Sequence, residues 1–125
     1  MCVKKYAVCA LVLNSEGLIL GVSRKDDHTA FGVPGGKVED NETILEALHR
    51  EILEETGYHI IVDNELPFVS DVDGYTTATF KATIDTSAIQ WQVIETGVVK
   101  YVSKQTLLDG PFGQYNKQLF EFFNI

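Results

Sequence analysis

The sequence predicts an α/β (α+β) domain in which a mixed β-sheet is flanked by helices. Two observations carry that expectation. Apolar, β-branched stretches of strand length stand on both sides of one central amphipathic helix, and a second amphipathic helix closes the chain. The length, 125 residues with 45% hydrophobic content and 10 glycines, suits one domain spanning 1–125 with a core of its own and several turns.

Taken in order, Val3 to Leu13 (VKKYAVCALVL) reads as a strand. Asn14-Ser15-Glu16-Gly17 is a turn and Leu18 to Ser23 returns as a second strand, which predicts a hairpin. Arg24 to Ala30 is a polar loop, Phe31 to Val33 a short extended piece, and Pro34-Gly35-Gly36 a turn-like segment open to unusual backbone geometry. The central helix runs from about Thr43 to Thr56, with capping-box spacing between Thr43 and Glu46 and Gly57 as its C′ residue. Ile60 to Val62 and Leu66 to Val72 are extended, separated by a turn at Asp63-Asn64, and Tyr75 to Ile84 alternates as a strand. Gly97 to Val102 is a further strand. Ser103 caps a short helix ending before Gly110-Pro111, and Tyr115 to Phe123 forms the closing helix with Leu119, Phe120 and Phe123 as core contacts. Repeats, low-complexity segments and linkers are absent from the sequence.

Charge narrows the function. The net charge is −8, from 10 basic and 18 acidic residues, which argues against a nucleic-acid polymer as partner because phosphate backbones call for a basic face. The two cysteines, Cys2 and Cys9, are seven residues apart and so point to opposite faces of a strand, which disfavours a mutual disulfide and suits a reducing compartment. No apolar run reaches the length of a membrane span and no signal-peptide pattern opens the chain, so no membrane partner is expected and the expectation is a cytoplasmic protein.

The central helix carries the chemistry. Glu51, Glu54 and Glu55 fall within one turn of a single face, where three like charges repel unless a cation lies between them. Oxygen-only ligands suit a hard divalent ion such as Mg²⁺, Mn²⁺ or Ca²⁺. The same stripe, followed back, holds Ile44, Ala47 and Leu48, so the helix is expected to pack on the fold at its first turns and open into a cleft at its last.

The segment Gly36 to Tyr58 resembles the Nudix box, the signature of the Nudix (MutT-like) hydrolases: a Gly, five residues, a Glu, seven residues, then R-E-U-x-E-E-x-G-U with U a bulky aliphatic. Gly36, Glu42, Arg50, Glu51, Ile52, Glu54, Glu55 and Gly57 all fall at that spacing, and the preceding FGVPGGKVED is similar to the family's lead-in. The one departure is Tyr58 in place of an aliphatic residue. The resemblance implies the family's α/β/α sandwich over essentially the whole chain.

It also implies roles. Glu51, Glu54 and Glu55 would ligate Mg²⁺, with Mn²⁺ as a substitute, and the backbone carbonyl of Gly36 would add a further ligand. Arg50 would orient the glutamates by hydrogen bonding, with Glu42 holding the preceding loop to it. The reaction implied is hydrolysis of a diphosphate linkage in a nucleotide, a MutT-like nucleoside triphosphate pyrophosphatase being the first choice and ADP-ribose, a dinucleoside polyphosphate or a nucleotide sugar the alternatives. Glu54 is the first choice for the general base; Glu95 occupies the region where the family often supplies another acid. A Nudix-like domain that binds nucleotides without cleaving them is the rival outside catalysis, and such domains typically lose box glutamates that this chain keeps. Phe31, Tyr75 and Trp91 are candidates for stacking on a base, and Arg24, Lys25 and His28 for meeting phosphates, while His49 and His59 are assigned no role. A monomer or homodimer is expected.

Overall fold

The computed structural model describes residues 5–93 and 97–125. Its organising element is β1 (Tyr6–Val12), a strand apolar on both faces: Val8, Ala10 and Val12 join one core cluster and Leu11 the other. Such a strand needs cover on both sides, which places it inside a sheet between helices.

Both edges of β1 are taken. On one it pairs antiparallel with β4 (Gly35–Lys37), and on the other parallel with β7 (Tyr75–Ile84) from Tyr6↔Thr76 to Val12↔Ala82. The long β7 then pairs antiparallel with β5 (Ile60–Val62) near one end and β6 (Phe68–Val72) near the other, giving a mixed five-stranded sheet. The β6–β7 hairpin closes through Asp73 and Gly74, both at positive φ (50° and 82°), as a two-residue turn with that backbone twist requires. A second, three-stranded sheet comprises β2 (Ile19–Ser23), β3 (Phe31–Gly32) and β8 (Val99–Val102), in the order β3-β2-β8.

Two sequence expectations change here. The hairpin of the first two strands exists only at its tip, in the Leu13↔Ile19 bridge and the Asn14 N–H to Leu18 O bond of 2.9 Å. With both edges of β1 occupied, β2 has none to pair with and leaves for the other sheet. The Pro34-Gly35-Gly36 segment is not a turn but leads straight into β4. Its glycines answer to proximity: a Cβ on Gly35 would lie 2.1 Å from Val8 O and 2.7 Å from Cys9 Sγ.

α1 (Ile44–Thr56) starts with the expected reciprocal cap. Thr43 Oγ1 accepts from Glu46 N–H at 3.1 Å, and Glu46 Oε1 accepts from Thr43 N–H at 2.9 Å. It ends at Gly57, left-handed at φ 76°. Ala47, Leu48 and Ile52 are fully buried against one face of the large sheet, with Tyr58 packed beside them. Ile44, expected at the head of that stripe, is exposed. α2 (Lys104–Leu108), capped by Ser103, and α3 (Gly113–Phe123) build the second core with Leu107, Leu119 and Phe120, while Phe123 is only partly buried. With α1 over one face and α3 reaching β6 on the other, the result is the α/β/α sandwich with a mixed sheet. Among the described residues no helix is long and apolar enough to cross a membrane.

Candidate active site

The last two turns of α1 project two of their three acids, Glu51 and Glu55, toward β4. Glu55 Oε1 accepts the Gly35 N–H at 2.6 Å. The Glu51 carboxylate lies so close to Gly36 that a Cβ there would sit 2.3 Å from its carbon. Consecutive glycines on β4 thus make room for two carboxylates from the facing helix. Glu54 is turned outward, its side chain 59% exposed.

Arg50 joins these groups to the loop before the helix. Its Nε and Nη2 donate to both oxygens of Glu42 at 2.6 and 2.7 Å, a bidentate pair. Nη1 donates to Glu51 Oε1 at 2.9 Å and Glu54 Oε2 at 3.3 Å, and Nη2 also reaches Lys37 O at 3.1 Å. Glu42 in turn accepts from Glu39 N–H at 3.0 Å, so the expected tie between loop and helix is present. The Arg50 bond, aided by Glu39 N–H, holds Glu42 down to about 2.

Glu55 is the opposite case. Burial pushes its carboxyl up to about 7, the Gly35 N–H opposes that, and repulsion from Glu51 and Glu54 adds to it. Glu51 is raised as well, chiefly by burial and against the pull of Arg50. These groups fit a hard divalent cation in donor chemistry: all are oxygens, two converge on neighbouring β4 residues, and a dication would relieve the cost that raises Glu55. Among the described residues no group of three or more His, Cys, Asp or Glu side chains is already gathered as a ligand shell. The outward turn of Glu54 onto Arg50 accords with that.

Glu55, Gly35 and Gly36 form part of the wall of a cleft of about 520 Å³. Its floor is the face of β1 and β7 opposite α1, where Ala7, Cys9 and Thr77 are small enough to leave space. Burial and then the nearby Glu55 push the Cys9 thiol up to about 12. Lys37, Arg24 and Lys25 line the cleft, Arg24 being paired with Asp26 at 3.0 Å. Tyr75 lines it too, with the ammonium groups of Lys5 and Lys37 at 5.7 and 5.3 Å from its ring centroid.

The other aromatic and histidine candidates lie elsewhere. Phe31 is buried in the second core, under the Lys100 ammonium. Trp91 borders a separate hollow beside Thr56 and Gln90, in edge contact with His59. His28 and His49 are exposed and do not line the cleft. Glu95 lies outside the described residues.

α3 contributes residues that sequence reasoning missed. Tyr115 lines the cleft and hydrogen-bonds Thr79 through its hydroxyl. Asn116 is fully buried at the cleft; its Nδ2 donates to Leu107 O at 3.2 Å, while Oδ1 is buried with no partner. A buried acceptor without a protein donor is costly, which makes the atom a candidate to meet a ligand or a water in the cleft. The one available signal was an Asn three residues past a Gly on an otherwise amphipathic helix, which carries little information.

The chain is similar to several known proteins. A NUDIX domain family model matches residues 3–109. A Bacillus subtilis (strain 168) protein, provisionally named an 8-oxo-dGTP diphosphatase, is 51% identical over 49 residues, covering 39% of this chain and 32% of that protein. The human 8-oxo-dGDP phosphatase NUDT18 is 38% identical over 56 residues, 43% of this chain and 17% of its own length. The matched stretches therefore span about a third or less of these two relatives. Among solved structures, a UDP-X diphosphatase superposes with a TM-score of 0.77 at 22% identity, covering 97% of this chain and 61% of that one. A MutT structure, from work on Aliivibrio salmonicida and Vibrio cholerae, gives 0.69 at 27% identity, covering 97% and 100%.

Proposed function

The chain belongs to the Nudix hydrolase family, enzymes acting on phosphoric anhydride bonds, and on that premise we propose that it is a divalent-metal-dependent pyrophosphohydrolase of a nucleotide, with a nucleoside triphosphate as the first-choice substrate. The observation that carries this reading is the delivery of Glu51 and Glu55 from one helix onto neighbouring glycines of β4, at the wall of a cleft edged by cationic side chains.

Nudix hydrolases generally use divalent metal ions, and Mg²⁺ is the one proposed here, with Mn²⁺ able to replace it. Glu51, Glu54 and Glu55, with the Gly36 carbonyl, would hold it. When bound, such an ion neutralises phosphate oxygens and makes a water more acidic. Arg50 keeps Glu51 and Glu54 in place through its shared donors. Glu54 is the first choice for the group that takes the proton from the attacking water. Lys37, Arg24 and Lys25 offset the charge of a −8 protein where an anionic substrate approaches. The unpartnered Oδ1 of Asn116 suits an N–H on a heterocyclic base, which favours a base-bearing substrate over a bare polyphosphate.

The deciding experiment is a nucleotide panel that includes ADP-ribose, dinucleoside polyphosphates and nucleotide sugars beside the triphosphates. Phosphate or pyrophosphate release is expected only with Mg²⁺ or Mn²⁺, and Glu54→Gln is expected to lower kcat by roughly a thousandfold with little change in Tm. A full-rate Glu54→Gln enzyme would overturn the assignment of the base. Binding across the panel without turnover would favour the non-catalytic reader instead.

A further inference from the structure

α1 ends with no basic side chain in its last turn, although its final carbonyls are the negative end of the helix dipole. Donors for the carbonyls just past Glu55 come from a distant stretch of chain. Gln90 Nε2 donates to Thr56 O at 3.1 Å, and the Trp91 N–H donates to Gly57 O at 2.7 Å. The approach is close enough that a Cβ on Gly57 would lie 2.0 Å from Trp91 O. The Trp91 ring meets His59 edge-on, with centroids 5.6 Å apart, which fixes this stretch against the chain leaving the helix. From inside, the buried Thr56 Oγ1 donates to Ile52 O at 2.6 Å and accepts from Tyr58 N–H at 3.1 Å. The two residues that follow Glu54 and Glu55 are therefore held from both sides.

We propose that Gln90 is a positioning residue for the hydrolysis: with the Trp91 backbone it clasps the end of α1 and sets where Glu54 and Glu55 stand relative to Gly35, Gly36 and the cleft. The assignment rests on the functional reading above. Gln90 faces the hollow behind the helix and lines no part of the cleft, so it acts only through the carboxylates. It is also solvent-exposed, so its truncation opens no cavity in the core. A carboxylate misplaced by a fraction of an ångström loses the alignment on which rate depends, while substrate binding is little affected.

The test compares Gln90→Ala, Gln90→Glu and Gln90→Arg with the wild-type protein. Gln90→Ala is expected to lower kcat about tenfold, with KM within about twofold and Tm within about 2 °C. Gln90→Glu, which sets an acid against a carbonyl and the negative helix end, is expected to be slower still. Gln90→Arg restores a donor at that end and is expected to recover most of the rate. Two readouts do not depend on turnover: amide hydrogen exchange at Gly57 and Tyr58, expected to speed up in the alanine variant, and Mn²⁺ affinity measured by water proton relaxation, expected to weaken. Unchanged exchange together with unchanged Mn²⁺ affinity would overturn the proposal, as would an arginine variant as slow as the alanine one. A wild-type protein that cleaves no nucleotide defeats the functional reading; exchange and Mn²⁺ affinity then decide the clasp by themselves.

Discussion

Glu42 and Glu55 sit at opposite ends of one network around α1, and their electrostatics run in opposite directions. Glu42 spends both oxygens on the Arg50 guanidinium and is held down to about 2, whereas Glu55 is buried beside two other acids, a cost that the Gly35 N–H and the charge of Lys25 only partly offset, and is pushed up to about 7. The first cluster is balanced within the protein and serves to hold the loop and helix together. The second carries a repulsion that the protein's own groups offset only in part, which is where the proposed divalent ion would act. Arg50 reaches both, with one edge on Glu42 and the other on Glu51 and Glu54.

That shared arginine offers the largest break in the comparison. Arg50→Lys keeps the charge but cannot hold Glu42 at two points while reaching Glu51. Steady-state kinetics are expected to register a loss of roughly 10- to 100-fold in kcat. An unimpaired enzyme would mean that the two clusters do not communicate.

A smaller effect sharpens the idea of a repulsion offset only in part. Glu55 has its folded-state carboxyl raised above the ordinary 4.5, so the folded protein binds that proton more tightly than the unfolded chain does. The favourable share is complete below about 4.5 and is lost as pH climbs through about 7, beyond which the buried ion carries its full cost. In metal-free buffer at pH 8, Glu55→Gln is therefore expected to melt higher than the wild-type protein, by roughly 5 °C, while losing activity. A lower melting point would refute a strained Glu55.

The smallest effect tests the balanced side. Because Glu42 is held below its ordinary 4.5, its contribution is present above that value and disappears as pH falls toward about 2. Melting followed by circular dichroism is expected to drop more steeply over that window for the wild-type protein than for Glu42→Gln. Identical acid limbs would mean that the bidentate pair adds nothing to stability.

Local chemistry was the readable part of the sequence. Thr43, Glu46 and Gly57 announce α1 because capping uses few residue types at fixed spacing, and Tyr75 to Ile84 announces β7 by alternation. Long-range geometry was not readable in the same way. Gly35 and Gly36 suggest a turn, yet they lie in a strand, because what excludes a side chain there is Val8 O and the Glu51 carboxylate, both distant in sequence. The divergence of β1 and β2 follows from who else claims the edges of β1, which no local window contains. Asp73-Gly74 did carry a hairpin signal that was legible in principle. At the candidate site the glutamates and Arg50 were legible from their spacing, whereas Asn116 was not, since its meaning lies in an orphaned oxygen that only the folded cleft creates.

The parallel pairing of β1 with β7 bears on how the molecule is made. Strand β1, Tyr6–Val12, is apolar on both faces, and its neighbour across Tyr6↔Thr76 to Val12↔Ala82 comes far later in the chain. Until β7 leaves the ribosome, β1 has at most β4 beside it and one edge open, so most of the sheet can close only once β7 has emerged. Substitutions that delay the docking of β7 should therefore reduce the yield of soluble protein in the cell well before they alter the melting temperature of the molecules that do fold.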